Sequence, residues 1–282
     1  MIVESSPAEV RRVVRAARQR GVSIGCVPTM GALHHGHVSL IEAARKDCGL
    51  VVGTIFVNPT QFGPNEDFSK YPRTLDADLE LCRKAGADLV FTPPVTAMYA
   101  ESAQTIVRVT KLSLLLEGAH RPGHFDGVST IVTKLFNITE PDRAYFGQKD
   151  FQQQLIIRQV AADLDQPVEV VTCPTIRESD GLAMSSRNRY LSTAERQRAS
   201  EIFQALKLAE RMASEPLPTP PEIAEAMTRH LNSVGGIDVQ YAVIANSFTL
   251  ECLSERSESA VALIAAKVGS TRLVDNEILR FR

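Results

Sequence analysis

The residues best suited to chemistry fall in two short stretches. Half of the six histidines lie within four positions, at His34, His35 and His37. They belong to Pro28-Thr-Met30-Gly31-Ala32-Leu33-His34-His35-Gly36-His37, between a short apolar strand pattern and a helical one. Gly31 permits a tight turn there, and Gly36 admits a ligand close to the backbone. The N–H groups at a helix start, with the helix dipole, favour an anion. His34 and His37 are three apart and share a face if the helix has begun. Two imidazoles facing a phosphate can donate hydrogen bonds and stabilise charge developing on a leaving group. The stretch is neither a GxGxxG fingerprint nor a P-loop, which would end in GK[ST]. A metal site would want HExxH spacing and a third ligand nearby, and neither is present. A structural His pair satisfied by its neighbours is the plainer alternative.

The second stretch is Met184-Ser185-Ser186-Arg187, preceded by Asp180-Gly181 and followed by Asn188-Arg189. Small hydroxyls before a fixed cation suit a mobile phosphate clamp. Hydroxyls and backbone donate to phosphate oxygens, and the guanidinium neutralises charge as pyrophosphate departs. The plainer alternative is a solvated loop with an N-cap serine.

These stretches need elements to hold them. Through the first two-thirds of the chain, strand and helix patterns alternate. Ser5–Arg20 reads as an amphipathic helix with Ser6 as N-cap and Pro7 at N1. Strands are expected at 22–28, 50–57, 87–91, 143–146 and 168–172, and helices at 38–46, 74–85, 126–137 and 150–162. Residues 104–109 alternate like a strand at or near an edge. Such alternation implies a mostly parallel, Rossmann-like, doubly wound α/β sheet, with ligands beyond the carboxyl ends of its strands at a switch point. The pattern then changes to one long helical stretch over 193–213, a Pro-rich break, another helix to about residue 231, and short strands near 239–244, 260–266 and 272–274. The expected division is therefore 1–175, a nucleotide-binding domain, and 176–282, a smaller α+β domain acting as a lid.

Composition narrows the classes. In 282 residues, 44% are hydrophobic, and 31 Lys and Arg against 33 Asp and Glu give a net charge of −2. No general basic field recruits nucleic acid. Trp is absent and aromatics are 6%, which is poor material for stacking bases. No secretory pattern opens the chain, and no apolar run approaches the roughly 20 residues that span a bilayer. The five cysteines, Cys26, Cys48, Cys82, Cys173 and Cys252, are odd in number and form no CxxC. They read as small buried hydrophobes in a reducing cytosol, so a cytoplasmic protein with no membrane or nucleic-acid partner is expected.

An HxGH after the first strand with a Met-Ser-Ser-Arg loop after the last resembles the HIGH-type adenylyl-transfer superfamily. Further motifs narrow the resemblance: Phe56-Val-Asn58-Pro-Thr-Gln61-Phe-Gly63, Tyr71-Pro-Arg73, Arg121-Pro-Gly-His124-Phe-Asp126-Gly, Phe146-Gly147-Gln148-Lys149-Asp150-Phe-Gln-Gln153 and Thr271-Arg-Leu-Val-Asp275-Asn276. In that order they resemble the pantoate–β-alanine ligase (AMP-forming) family over nearly the whole chain.

The resemblance implies that pantoate and β-alanine are condensed through a pantoyl adenylate, with MgATP consumed. It implies an ATP strip at Met30 to His37, with His37 as proton donor beside His34. Gln61 and Gln153 would hold pantoate, and Gln61 would also meet β-alanine. Gly147, Gln148, Lys149 and Asp150 would form a second nucleotide strip, Lys149 meeting the phosphates and Asp150 the ribose. Ile176 takes an adenine-contacting backbone position where Val is more usual. Met184, Ser185, Ser186 and Arg187 would form the second ATP motif, Arg187 counting with His34, His37 and Lys149 among the catalytic side chains. No protein metal ligand is expected, and a homodimer is. His35 stands where many relatives carry Glu and is expected to point away. The chemistry of the residue types agrees. Glutamines grip a hydroxy acid without neutralising its nucleophilic carboxylate, and lysine is a compact cation suited to phosphate. A nucleotidyltransferase that keeps the nucleotide in its product, such as a pantetheine-phosphate adenylyltransferase, is the rival enzyme, and an ATP- or RNA-binding module the rival without catalysis.

Overall fold

The computed structural model describes residues 1–64 and 66–281. The chain divides into two compact units, residues 1–148 with 152–174, and residues 149–151 with 175–282.

The first unit is built on six parallel strands: β1 (Ile2–Glu4), β2 (Ile24–Thr29), β3 (Leu50–Ile55), β4 (Leu89–Phe91), β5 (Arg143–Gly147) and β6 (Glu169–Cys173), in the order β1-β4-β3-β2-β5-β6. Between them run α1 (Pro7–Gln19), α2 (His35–Asp47), α3 (Leu75–Ala85), the single turns α4 (Val95–Met98) and α5 (Glu117–His120), α6 (His124–Thr139) and α7 (Phe151–Asp163). The chain winds outward from β2 through β3 to β4, then crosses to β5 on the other side of β2. The switch point therefore lies between β2 and β5, whose residues Gly25 and Cys26 pair with Arg143 and Ala144. Successive side chains of a strand face opposite sides. Val27 joins Leu40, Ile41 and Ala44 of α2 and Cys82 of α3 in one buried cluster, while α1 and α6 pack together against β2. Helices on both sides make the sheet doubly wound.

The second unit contains α8 (Thr193–Ala199), α9 (Glu201–Ser214), α10 (Pro220–Val234) and an antiparallel sheet, β7 (Ile237–Asn246), β8 (Ala260–Val268) and β9 (Thr271–Leu279), with β8 central. Every residue of β8 is buried except Lys267. Its core joins Ile202, Leu206 and Ala209 of α9 and Ile223, Met227 and Leu231 of α10 to Ala262, Ile264 and Ala266 of β8.

Several expectations need correction. Residues 104–109 form no strand. Ile106 lies exposed, and the Val107 N–H is taken by the Thr130 hydroxyl at 3.0 Å rather than by a neighbouring strand. The short strand β1 carried too few residues to show a period. The 193–213 stretch is two helices meeting at Ser200, the first opened by the Ser192–Glu195 capping box and the second beginning at Glu201. Helix α2 starts at His35 instead of Val38, which brings the histidines into its first turn. All five cysteines are free thiols, and Cys252, unlike the other four, is exposed. No helix among the described residues is long and apolar enough to cross a membrane.

Candidate active site

The turn after β2 is shaped by its own backbone and by one distant carboxylate. Gly31 and Ala32 both take left-handed conformations, at φ +83° and +50°. That conformation costs a non-glycine residue about 1–2 kcal/mol. Asp78, buried on α3, offsets it by accepting the N–H groups of Ala32 at 2.9 Å and Leu33 at 2.8 Å. The Thr74 hydroxyl holds the same carboxylate. Asp78 lies on the stripe that α3 buries with Cys82 and Ala85. An acid on an apolar helix face is a signal legible in the sequence, and the motifs do not include it.

The two histidines cap the helix that they open. His34 is the N-cap of α2, and its Nδ1 accepts the N–H of Gly36 at 3.2 Å. The N–H of His34 in turn donates to Nδ1 of His37 at 3.3 Å. The rings lie 4.1 Å apart, tilted by 41°. Since both Nδ1 atoms accept, each neutral ring carries its proton on Nε2. The pair is thus a satisfied structural pair and also presents two oriented N–H donors at a helix N-terminus. His35 is exposed.

Gln61 lies in the turn Pro59–Gln61 that follows β3, the strand paired with β2. It is 7% exposed. Its Oε1 accepts from Asn58 Nδ2 at 3.1 Å, and its Nε2 reaches the Met30 sulfur at 3.0 Å. Asn58 is itself buried. It donates to the Gly127 carbonyl and accepts the Tyr99 hydroxyl at 2.8 Å and the Thr60 hydroxyl at 3.0 Å. A primary amide has two N–H donors and two carbonyl lone pairs, so Gln61 keeps one of each for a ligand. Gly127 is required here. A Cβ on it would stand 2.4 Å from the Thr60 carbonyl oxygen and 2.6 Å from the Gln61 nitrogen.

The sequence Gln152-Gln153-Gln154 on α7 is sorted by its surroundings. Gln152 is consumed by the Leu112 and Leu115 carbonyls and the Glu117 N–H. Gln154 Oε1 is taken by Arg158 and Thr172. Gln153 is partly exposed and makes no side-chain hydrogen bond among the described residues, which leaves it the one equipped for a ligand.

Gly147 closes β5 at the switch point, and Gln148–Asp150 forms a single 3-10 turn before α7. Lys149 lies 3.3 Å from Asp150 and is largely buried. Asn276 of β9, almost fully buried, donates from Nδ2 to the Lys149 carbonyl at 2.9 Å. The neighbouring Asp275 carboxylate accepts a bidentate pair from Arg177 at 2.6 and 3.1 Å. Arg177 also lies over the Phe203 ring at 4.3 Å. Its segment folds back on itself, with the Met184 N–H on the Ile176 carbonyl at 2.9 Å. Ser185 Oγ accepts the Arg187 N–H at 3.3 Å and caps the 3-10 turn Ser186–Tyr190. The N-cap serine of the plainer reading is therefore real, on a loop that also carries Arg187. Asn188 ties this turn to Glu178 and to the Ala183 carbonyl. Glu178, held by Arg196 and Asn188, titrates below the usual glutamate range.

Sequence motifs single out the histidines, Gln61, Gln153, Lys149 and the Ser-Ser-Arg loop. They did not assign Asn58, which holds the Gln61 amide, Asp78, which holds the backbone before His34, Asn276, which holds the Lys149 carbonyl, or Asp275, which pairs with Arg177. The structure brings His34 with His37, and Met30 with Gln61. It sets Lys149 with Asp150 and Asn276, and Ile176 with Met184.

The Pantoate-beta-alanine ligase family profile matches residues 2–278. The chain is 49% identical to the pantothenate synthetase of Moorella thermoacetica, over 96% of each. The crystal structure of pantothenate synthetase from Thermus thermophilus superposes with a TM-score of 0.94 at 43% identity, covering 99% of both chains. A pantoate-β-alanine ligase from Francisella tularensis, solved with β,γ-ATP and β-alanine, gives 0.82 at 32% identity, covering 99% of this chain and 97% of that one. A profile that matches from the first strand to the last, on a fold shared at this level of identity, places the chain in the pantoate–β-alanine ligase family.

Proposed function

We infer that the chain condenses pantoate with β-alanine at the expense of ATP. A carboxylate is a poor electrophile, so it is first activated. A pantoate carboxylate oxygen attacks the α-phosphorus of ATP, the bond to pyrophosphate breaks, and pantoyl adenylate forms. The amine of β-alanine then attacks the acyl carbon, loses a proton, and expels AMP to leave pantothenate. Both steps depend on positioning and on stabilising charge rather than on a covalent enzyme intermediate.

The residue roles follow the chemistry of each group. Gln61 and Gln153 hold pantoate while leaving its carboxylate nucleophilic. The strip Met30–His37 binds ATP, and the Nε2–H groups of His34 and His37 donate to phosphate oxygens as charge builds on the leaving pyrophosphate. Lys149 and Arg187 supply cations to the phosphates. Gly147, Gln148 and Asp150 serve the nucleoside end, with the Ile176 backbone at adenine. Met184, Ser185 and Ser186 present hydroxyl and backbone donors. One observation carries this reading: mutual capping through both Nδ1 atoms fixes both histidines as Nε2–H donors in the first turn of α2.

Mg2+ accompanies ATP in this reading and would neutralise charge on the departing pyrophosphate. Magnesium keeps several waters and takes phosphate oxygens with few protein carboxylates. With Asp150 given to the nucleoside end and paired with Lys149, the residues at the phosphates are cations and hydroxyls, which suits a magnesium held by phosphate oxygens and water. The described residues hold no group of three His, Cys, Asp or Glu arranged for a metal. A homodimer in the cytoplasm is proposed as well. The five free thiols suit a reducing compartment, and sedimentation and cell fractionation test the two statements.

The deciding assay follows AMP and pyrophosphate release with pantoate, with and without β-alanine. Pyrophosphate should depend on pantoate, and AMP release on β-alanine. An adenylylated end product, or ATP binding with no pantoate-dependent turnover, overturns the reading.

A further inference from the structure

We propose that His124, braced by Arg121 and Glu66, is a positioning residue that anchors the backbone of Gln61 and so aims the Gln61 amide at pantoate. The proposal rests on the assignment of Gln61 to pantoate.

The hydrogen bonds assign the proton on the ring. His124 Nε2 lies 3.0 Å from Arg121 Nη1. A guanidinium has donors only, so Nε2 must accept. The ring proton therefore sits on Nδ1, which donates to the Gln61 carbonyl at 2.7 Å. Arg121 is fixed in turn by Glu66, through Nε at 2.7 Å and Nη2 at 2.5 Å. The same Nη2 lies 3.5 Å from the Gln61 carbonyl. The charged groups acting on the ring are Arg121, Glu66 and Glu117. Burial first, then the Arg121 charge, pushes the imidazole down to about 4, so it stays neutral at physiological pH.

A neutral ring with one donor and one acceptor, both committed, is a rigid spacer between a guanidinium and a carbonyl. It acts on a residue whose side chain is pinned separately by Asn58 and Met30. Gly127, one turn along α6 from His124, closes the remaining space against Thr60 and Gln61. Gln61 thus has its backbone carbonyl held closely by His124, with Arg121 farther off at 3.5 Å, and two anchors on its amide. Removing the backbone anchor lets the Pro59–Gln61 turn shift while the ATP strip keeps its own support on Asp78.

The test compares His124→Asn, His124→Gln and Gln61→Ala, each in the full chain, with KM for pantoate and for ATP measured separately. An asparagine amide nitrogen falls near the place of Nδ1 and can still donate to the Gln61 carbonyl. A glutamine amide extends to the place of Nε2 and cannot do so as directly. His124→Gln should raise KM for pantoate about tenfold or more, as expected for one lost buried hydrogen bond, with KM for ATP changed less than about twofold. His124→Asn should restore most of the pantoate affinity. Equal behaviour of the Asn and Gln variants, or parallel losses for both substrates, overturns the positioning role. An unchanged pantoate KM in Gln61→Ala overturns the assignment of Gln61 itself, and the proposal with it. Should a His124 variant fail to fold, long-range 15N–1H NMR of the wild-type ring decides. The Nδ1–H form at neutral pH supports the relay, and an Nε2–H or doubly protonated ring overturns it.

Discussion

Replacing Asp78 by Asn tests whether a buried carboxylate holds the ATP strip in shape. The two side chains have nearly the same volume, so no cavity is made. The carboxylate accepts two backbone N–H groups, at 2.9 and 2.8 Å, one on each oxygen. An amide offers one accepting oxygen, and its NH2 would face the second N–H. One hydrogen bond to a charged acceptor is lost, worth about 1.5–3 kcal/mol, and the other is weakened to a neutral bond. The expected loss of stability is about 2–4 kcal/mol. Function should suffer in a particular way. The N–H groups belong to Ala32 and Leu33, directly before His34, so the histidine donors lose their frame while Gln61 keeps Asn58. Adenylate formation should fall by roughly 10- to 100-fold at fixed ATP, with KM for pantoate little changed. Urea unfolding and pantoate-dependent pyrophosphate release at varied ATP give both quantities. An Asp78→Asn protein with an unshifted midpoint and unaltered dependence on ATP would refute the reasoning.

Further outcomes are expected from the same geometry. His37→Ala and Lys149→Ala should each slow adenylate formation by roughly two to three orders of magnitude through loss of a transition-state donor; single-turnover rates near wild type would remove those roles. Gln153→Ala should weaken pantoate far more than ATP, whereas Gln152→Ala should chiefly lower the unfolding midpoint, since Gln152 holds three backbone groups. Gly127→Ala should impair folding or pantoate binding, because its Cβ would meet backbone atoms that have nowhere to retreat; an unaltered pantoate KM with normal stability contradicts this. Glu178 is lowered in the folded protein by its bond to Arg196. The stability it contributes is therefore present above its ordinary value of 4.5 and is lost as pH falls through the lower folded value. Unfolding midpoints measured across that window should decline less steeply in Arg196→Ala.

Features set by neighbours in the chain were legible. Ser6 before Pro7 does cap α1, accepting the Glu9 N–H, and α3 ends at Gly86. A continuous apolar run at 50–57 reads as a strand covered on both faces, and β3 is buried from Val51 to Thr54, although it ends at Ile55. The motif residues were legible for the same reason, since ligand-binding turns in a parallel sheet follow strands directly. The alternation at 104–109 misleads because a pattern of period two states which residues face the same way and cannot supply a partner strand. The division of 193–213 is hidden because the apolar period runs on past the break, and only the Ser192–Glu195 capping box marks where the shorter helix starts.

Taken alone, the sequence determined the fold class, the family resemblance and the types of group in the site. These depend on short-range periodicity, caps and motif order. The tertiary structure decided how those groups are used. Asp78 reaches Ala32 and Leu33 from a helix 46 and 45 residues further on. His124 meets the carbonyl of a residue 63 positions earlier. The three consecutive glutamines of α7 differ only in what surrounds them, and the proton on each ring of the His34–His37 pair is placed by backbone N–H groups. A hydrogen bond is directional and falls away within an ångström, so its partners are settled by packing, and residue type names only the candidates.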